Sequence, residues 1–202
     1  MKSQWIKVFM VLSGLAAASL GLAASSGIGK KMVKKMEQAE VKKETAILAG
    51  GCFWGMEDIL RQHPGVLETE VGYTGGHLDN PRYEDVKMGK TGHAEAIRIV
   101  FDSQKTSFEK LLELFFKMHD PTTLNRQGND MGSQYRSAIF YSSDVQRESA
   151  EKIKAQVNHS GKWKKPIVTE IVPAAVFYPA ETYHQDYLVK NPGGYTCHWI
   201  RE

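Results

Sequence analysis

The sequence predicts an α+β fold, a two-layer α/β sandwich around a mixed sheet, with long functional loops and an irregular C-terminal tail. Three observations point there. Stretches of period-2 and of period-3.6 apolar spacing mix along the chain without strict strand–helix–strand alternation. A polar stretch from Thr122 to Gln134 is long for a structureless connection in a small domain, and such loops are often functional. The composition, 42% hydrophobic and 24% charged over 202 residues, is that of an ordinary globular chain.

Residues 1–25 read as a secretory signal. Lys2 and Lys7 form a basic start, Val8 to Leu22 is apolar, and Ala23-Ala24-Ser25-Ser26 offers small residues for cleavage. An uncleaved anchor is the alternative. The run from Val8 to Ala24 is at the short end of the roughly 17–25 residues that span a bilayer, and it is rich in Ala, Gly and Ser, which favours cleavage. No cysteine stands at the end of the apolar run, so a lipoprotein is not expected. Residues 26–44 carry lysines and glutamates and read as a basic linker, and residues 45–202 as a single catalytic domain. An exported, periplasmic or cell-envelope location follows. Removing Lys2 and Lys7 lowers the net charge from +3 to +1, so the basic balance does not point to nucleic acid.

In chain order, Thr45-Ala46-Ile47-Leu48 is apolar and leads into Gly50-Gly51-Cys52. Met56, Ile59, Leu60 and His63 then follow helical spacing until Pro64-Gly65 stops the helix. Leu67 to Tyr73 alternates as a strand, Thr74 to Pro81 is loop, and Tyr83 to Val86 suits a helical turn. His93 to Phe101 is an interior strand, with Glu95, Ile97, Ile99 and Phe101 on one face. Thr106-x-x-Glu109 reads as a capping box for a helix carrying Phe108, Leu111, Leu112 and Phe115. Tyr135 to Tyr141 is a strand, Ser143-x-x-Gln146 opens a helix to about His159, and Ile167 to Val172 is another strand. Glu181 to Lys190 is expected to be a short helix. Asn191 to His198 reads as a flexible, glycine-hinged tail.

Cys52 thus falls where a strand hands over to a helix start. Free backbone N–H groups and the helix dipole there favour a thiolate. Gly50 and Gly51 leave room for a substrate to approach. Glu57 and Asp58 oppose the thiolate unless they point away. Phe53 and Trp54 cannot share a helix face, so at least one ring should line the mouth of the site, a wall suited to an apolar or sulfur-bearing group. Cys52 and Cys197 fit either a structural disulfide or a pair of catalytic thiols. Glu95 shares its face with Ile97 and Ile99; burial would raise its pKa and make it a proton donor. Tyr83 and Tyr135 flank the two loops that look functional. Asp130 lies among turn residues, His184 reads as a surface-helix histidine, and Cys197-His198 alone is a weak metal signal.

Taken together, these residues resemble the methionine sulfoxide reductase A family. Gly51-Cys52-Phe53-Trp54-Gly55 matches its signature. The likeness continues through Gly72-Tyr73-Thr74-Gly75-Gly76, Tyr83-Glu84, Thr91-Gly92-His93-Ala94-Glu95-Ala96 and His119-Asp120-Pro121-Thr122. It runs on through Asn125-x-Gln127-Gly128-x-Asp130-x-Gly132-Ser133-Gln134-Tyr135-Arg136-Ser137, and through Ala180-Glu181-x-Tyr183-His184-Gln185. The resemblance implies reduction of methionine S-sulfoxide, free or in oxidised proteins. Cys52 would attack the sulfoxide sulfur. Phe53 and Trp54 would house the methyl group. Glu95 with Tyr83 and Tyr135 would hold and protonate the oxygen, and Asp130 and His184 would hold the substrate backbone. Cys52 would be left as a sulfenic acid, and Cys197 would condense with it to a disulfide. No bound metal, flavin or nicotinamide is implied. An external dithiol, a thioredoxin-like protein or dithiothreitol, would regenerate the enzyme, acting on a monomer. The chain ends at Glu202 soon after Cys197, so a single resolving thiol is expected.

Two other readings remain open from sequence. Cys52, His184 and Asn191 follow a Cys/His/Asn hydrolase order. A non-enzymatic exported module stapled by Cys52–Cys197 is the second.

Overall fold

The structure is a computed structural model that describes residues 40–202. The signal read at 1–25 and the linker residues 26–39 lie outside the described residues. The sheet is built on β1 (Lys43–Gly50) and β3 (Ala94–Asp102), antiparallel neighbours with Leu48 opposite Ile97 and Lys43 opposite Asp102. β2 (Val66–Thr74) and β8 (Tyr178–Pro179) extend the β3 side. β6 (Ser137–Tyr141) and β7 (Glu170–Pro173) extend the β1 side, giving the order β7-β6-β1-β3-β2-β8. Only β6 and β7 run parallel, so the sheet is mixed.

One face of the sheet carries the helices α1 (Phe53–Leu60), α3 (Phe108–Met118) and α4 (Asp144–His159). Ala46, Leu48, Ile97, Ile99 and Phe101 meet Met56, Leu60, Leu111, Leu112, Phe115 and Ile153 in one core. The other face is nearly all small: Ala49, Ala94, Ala96 and Ala138 pack with Phe140. The fold is therefore α+β in two layers. The period-2 reading of β3 holds, and it sends Glu95 to the helix-bearing face with Ile97, Ile99 and Phe101.

Local departures have tertiary causes. The cap of α3 is Ser107, whose hydroxyl accepts from the Lys110 N–H at 3.4 Å. The Thr106 hydroxyl is engaged instead by His63 Nε2 at 2.8 Å. The cap of α4 is Ser143, as its spacing indicates. The stretch from Thr122 to Gln134 is not wholly irregular. It holds a two-stranded hairpin, β4 (Arg126–Gln127) and β5 (Asp130–Met131), and a 3-10 turn, Ser133–Tyr135, which delays β6 to Ser137. α2 (Tyr83–Val86) forms as read.

The helix expected over Glu181 to Lys190 shrinks to α5 (Tyr187–Lys190). Side chains from elsewhere capture that backbone. Glu57 Oε2 accepts from the Asp186 N–H at 2.7 Å, and Gln185 bonds the Val71 N–H and C=O at 2.9 Å each. Asp186 takes the left-handed conformation, φ 51°, that these bonds require. The tail is irregular, but it is docked. His198 bonds the Gly50 carbonyl at 2.8 Å and the Arg201 N–H bonds the Lys117 carbonyl at 2.9 Å. The Arg201 guanidinium lies 4.0 Å from the Trp199 ring centroid and 5.8 Å from that of Trp163.

Candidate active site

β1 delivers Cys52 to the N-cap of α1 after Gly51 turns the backbone at φ 111°. The room over the two glycines is not left for substrate. A Cβ on Gly50 would meet Phe115 and His119, and one on Gly51 would meet Gln127 and His198. Cys52 is 6% exposed. The Trp54 N–H at the helix start favours the thiolate, but burial, and next the charge of Glu95, push the thiol well above its ordinary value. The expected thiolate is therefore corrected to a resting thiol. A helix terminus contributes at most about 2 kcal/mol, whereas full burial moves a pKa by up to 3–5 units. Glu57 and Asp58 are turned elsewhere. Glu57 accepts from Asp186 and from the Thr69 hydroxyl, and Asp58 pairs with Arg61 at 2.6 Å.

Glu95 comes up beneath Cys52 from β3. Its Oε2 accepts from the Phe53 N–H at 3.1 Å, the amide next in sequence to the cysteine. It is 2% exposed, and burial pushes its pKa up to about 8 against the pull of that N–H, with the Asp130 charge adding to the rise. At neutral pH the carboxyl keeps its proton. Tyr83 and Tyr135, both half-buried, feel the Glu95 charge as the largest cause after burial, and Tyr83 is pushed up to about 12. Both phenols therefore keep their protons at neutral pH and are available as O–H donors. The Tyr83 backbone is anchored by its N–H to Glu181 Oε1 at 2.9 Å, while Glu181 Oε2 takes the Tyr73 hydroxyl.

Phe53 is buried among Val71, Tyr73, Val86 and Ala180, and Trp54 packs at the edge of that cluster. Trp54 stacks on Tyr187, centroids 3.7 Å apart and planes 11° from parallel. Its indole N–H donates to His184 Nδ1 at 3.0 Å. His184 is not a surface-helix histidine. It is 1% exposed, its ring centroid is 4.5 Å from Tyr83 and 5.2 Å from Phe53, and burial lowers its pKa. Among the described residues, Asp130 Oδ2 and His184 Nε2 are buried without a hydrogen-bond partner.

Asp130 lies on the tail side of the site. It accepts from the Tyr195 hydroxyl at 3.1 Å, and its charge acts on the Cys197 thiol. Cys197 is buried and, like Cys52, free; the Cys52 backbone N–H opposes the rise of its pKa. Burial, then the charge of Asp130, push the Cys197 thiol up to about 12. Gly55 permits this approach. A Cβ there would lie 2.3 Å from Thr196 Oγ1 and 2.7 Å from His198 Nδ1.

The structure thus brings Cys52, Glu95, Tyr83, Tyr135, Asp130 and Cys197 into one electrostatic neighbourhood, with Phe53, Trp54 and His184 forming an aromatic wall. It does not assemble a Cys/His/Asn hydrolase. His184 Nδ1 serves Trp54, and the Asn191 side chain bonds the Tyr187 carbonyl. Among the described residues no three of His, Cys, Asp and Glu group as metal ligands. In the sequence Glu181 and Gln185 stand only as part of the family likeness, with no role given; here they shape the 180–187 turn, and His198, a weak metal signal in sequence, lies against Cys197.

Comparison with known proteins agrees with this arrangement. Residues 44–202 match the family model described as peptide methionine sulfoxide reductase. A protein of Nocardia farcinica named peptide methionine sulfoxide reductase MsrA is 56% identical over 156 residues, covering 77% of this chain and 89% of the relative. The crystal structure of Mxr1 from Saccharomyces cerevisiae in reduced form superposes with a TM-score of 0.76 at 38% identity, over 82% of this chain and 96% of that one. Mxr1 in complex with Trx2 matches with a TM-score of 0.54 at 27% identity, over 84% and 97% of the two chains.

Proposed function

Because the chain belongs to the peptide methionine sulfoxide reductase family, whose members reduce methionine sulfoxide with thiols, we propose a sulfenic-acid and disulfide cycle run by Cys52 and Cys197. The observation that carries it is the Glu95 carboxyl, buried, protonated and bonded to the amide beside Cys52. The sulfoxide oxygen sits among the Glu95, Tyr83 and Tyr135 donors, and the methyl group sits on Phe53 and Trp54. Cys52 attacks sulfur as the oxygen is protonated. The substrate sulfur is reduced to methionine, the oxygen ends on Cys52, and that cysteine is oxidised to a sulfenic acid. Asp130 Oδ2 and His184 Nε2, each buried and unpartnered, support a role in holding the substrate backbone.

Cys197 then condenses with the sulfenic acid, water leaves, and a disulfide forms. A thioredoxin-like dithiol reduces it; the Mxr1 complex with Trx2 supports that class of reductant. The substrates are methionine S-sulfoxide, free or in exported proteins, and the N-terminal Lys2, Lys7 and Val8–Leu22 pattern supports export. The test is incubation with dithiothreitol and racemic methionine sulfoxide, following each epimer. Consumption of one epimer, the S form, is expected because a single pocket fixes methyl, oxygen and backbone together. Equal consumption of both overturns the reading.

A further inference from the structure

We propose that His198 is the general base of disulfide closure, its Nδ1 taking the Cys197 proton as the Cys197 sulfur attacks oxidised Cys52. This rests on the cycle proposed above and adds a residue to it. The geometry begins at Gly50. Its carbonyl can only accept, so the ring nitrogen 2.8 Å away, Nε2, carries the hydrogen. In the neutral ring that leaves Nδ1 as an acceptor, and Nδ1 is 3.5 Å from Cys197 Sγ. The bond to a residue 148 positions earlier therefore selects the tautomer that the neighbouring thiol needs. The residue is 6% exposed and its ring is packed over Gly51 and Gly55; a Cβ on Gly55 would lie 2.7 Å from Nδ1.

The charges around the ring agree. Burial first, and then Arg201, lower the His198 pKa to about 4 against the opposing pulls of the Gly50 carbonyl and Asp130, so the imidazole is neutral across the physiological range and its Nδ1 is free to accept a proton. Buried His119, neutral as well, adds no positive charge. The Cys197 thiol, pushed up to about 12, holds almost no free thiolate at pH 7, so it needs a base in contact as it reacts. The charge of Asp130 acts on the same thiol, but it raises the thiol pKa and holds the proton on sulfur. The step balances. The S–H proton moves to Nδ1, the Cys197–Cys52 S–S bond forms, and the Cys52 S–O bond breaks. The departing hydroxide takes the proton back from the imidazolium and leaves as water. Cys197 sulfur is oxidised and Cys52 sulfur reduced.

The experiment uses the reduced full chain with methionine sulfoxide and no reductant. It follows methionine by chromatography, and the sulfenic acid, trapped with a cyclic diketone, and the disulfide by mass. His198→Gln keeps a donor for Gly50 and removes the Nδ1 base. Methionine should appear at the wild-type rate while disulfide closure slows by about 10²-fold or more, with trapped sulfenic acid accumulating. In the wild type, closure through a neutral base should be flat from pH 5 to 7, below the titration of Glu95. Attack by preformed thiolate would rise about tenfold per pH unit. Closure at the wild-type rate in His198→Gln, or a tenfold rise per pH unit in the wild type, overturns the proposal. The wild-type profile decides alone if the variant does not fold. Absence of the methionine burst in the wild type would instead remove the cycle on which the proposal rests.

Discussion

Glu95→Gln isolates the proton from the shape. The amide keeps an oxygen for the Phe53 N–H, the bond Glu95 makes at 3.1 Å, and keeps an N–H for the sulfoxide oxygen. It cannot deliver a proton to that oxygen. Substrate affinity should survive while the chemical step slows by about 10²–10⁴-fold, the usual range for one positioned acid. With the carboxyl titrating at about 8, the wild-type step should fall away above that pH, and the variant should lose that limb. Stability gives a second readout of opposite sign. The folded chain holds this proton up to about pH 8, while the unfolded chain releases it near 4.5. Its contribution is fully present below pH 4.5 and is lost as pH rises to about 8. Over the interval from 4.5 to 7, a slope of about 1.4 kcal/mol per pH unit amounts to on the order of 3 kcal/mol. Gln carries no such loss, so the variant should be the more stable protein at pH 7 and no more stable at pH 4. The assays are single-turnover methionine formation and urea unfolding, each across pH. A variant that reduces sulfoxide at the wild-type rate refutes Glu95 as the acid and moves the test to Tyr83 and Tyr135.

The other expectations are simpler. Cys52→Ser should abolish reduction, because a hydroxyl is a far weaker nucleophile than a sulfur. Cys197→Ser without reductant should still release about one methionine per enzyme, with the sulfenic acid persisting on Cys52; no burst would break the assigned division of labour. Gly55→Ala places a Cβ 2.3 Å from Thr196 Oγ1 and should lift the tail. Its methionine burst should match the wild type while disulfide closure slows, and equal closure would show that the tail does not need this contact. Protein recovered from the cell envelope should begin near Ala24 to Ser26 by N-terminal sequencing, and an intact Met1 would favour the anchor.

Local pattern decides a good deal here. Alternation along β3 puts Glu95 on the side of Ile97 and Ile99, and the structure finds it buried there. Ser143 and Gln146 mark the start of α4 because capping is settled within one turn. The Gly51-Cys52-Phe53-Trp54-Gly55 run places a cysteine at a helix start because a glycine at φ 111° and a helix beginning are both short-range features. Such signals operate within a few residues, and the sequence alone determines them.

What joins distant segments had to come from the tertiary structure. The sign of the Cys52 shift depends on how much protein covers it, which the helix start cannot reveal. Glu181, Gln185 and Glu57 shape the 180–187 turn through bonds to residues far along the chain, overriding a locally plausible helix. Asp130 faces Cys197 only because β4 and β5 fold back under the tail. His198 is the plainest case. Beside Cys197 in sequence it offers only a weak metal signal, and only the Gly50 carbonyl, brought to it by the docking of the tail, determines which of its nitrogens holds the proton.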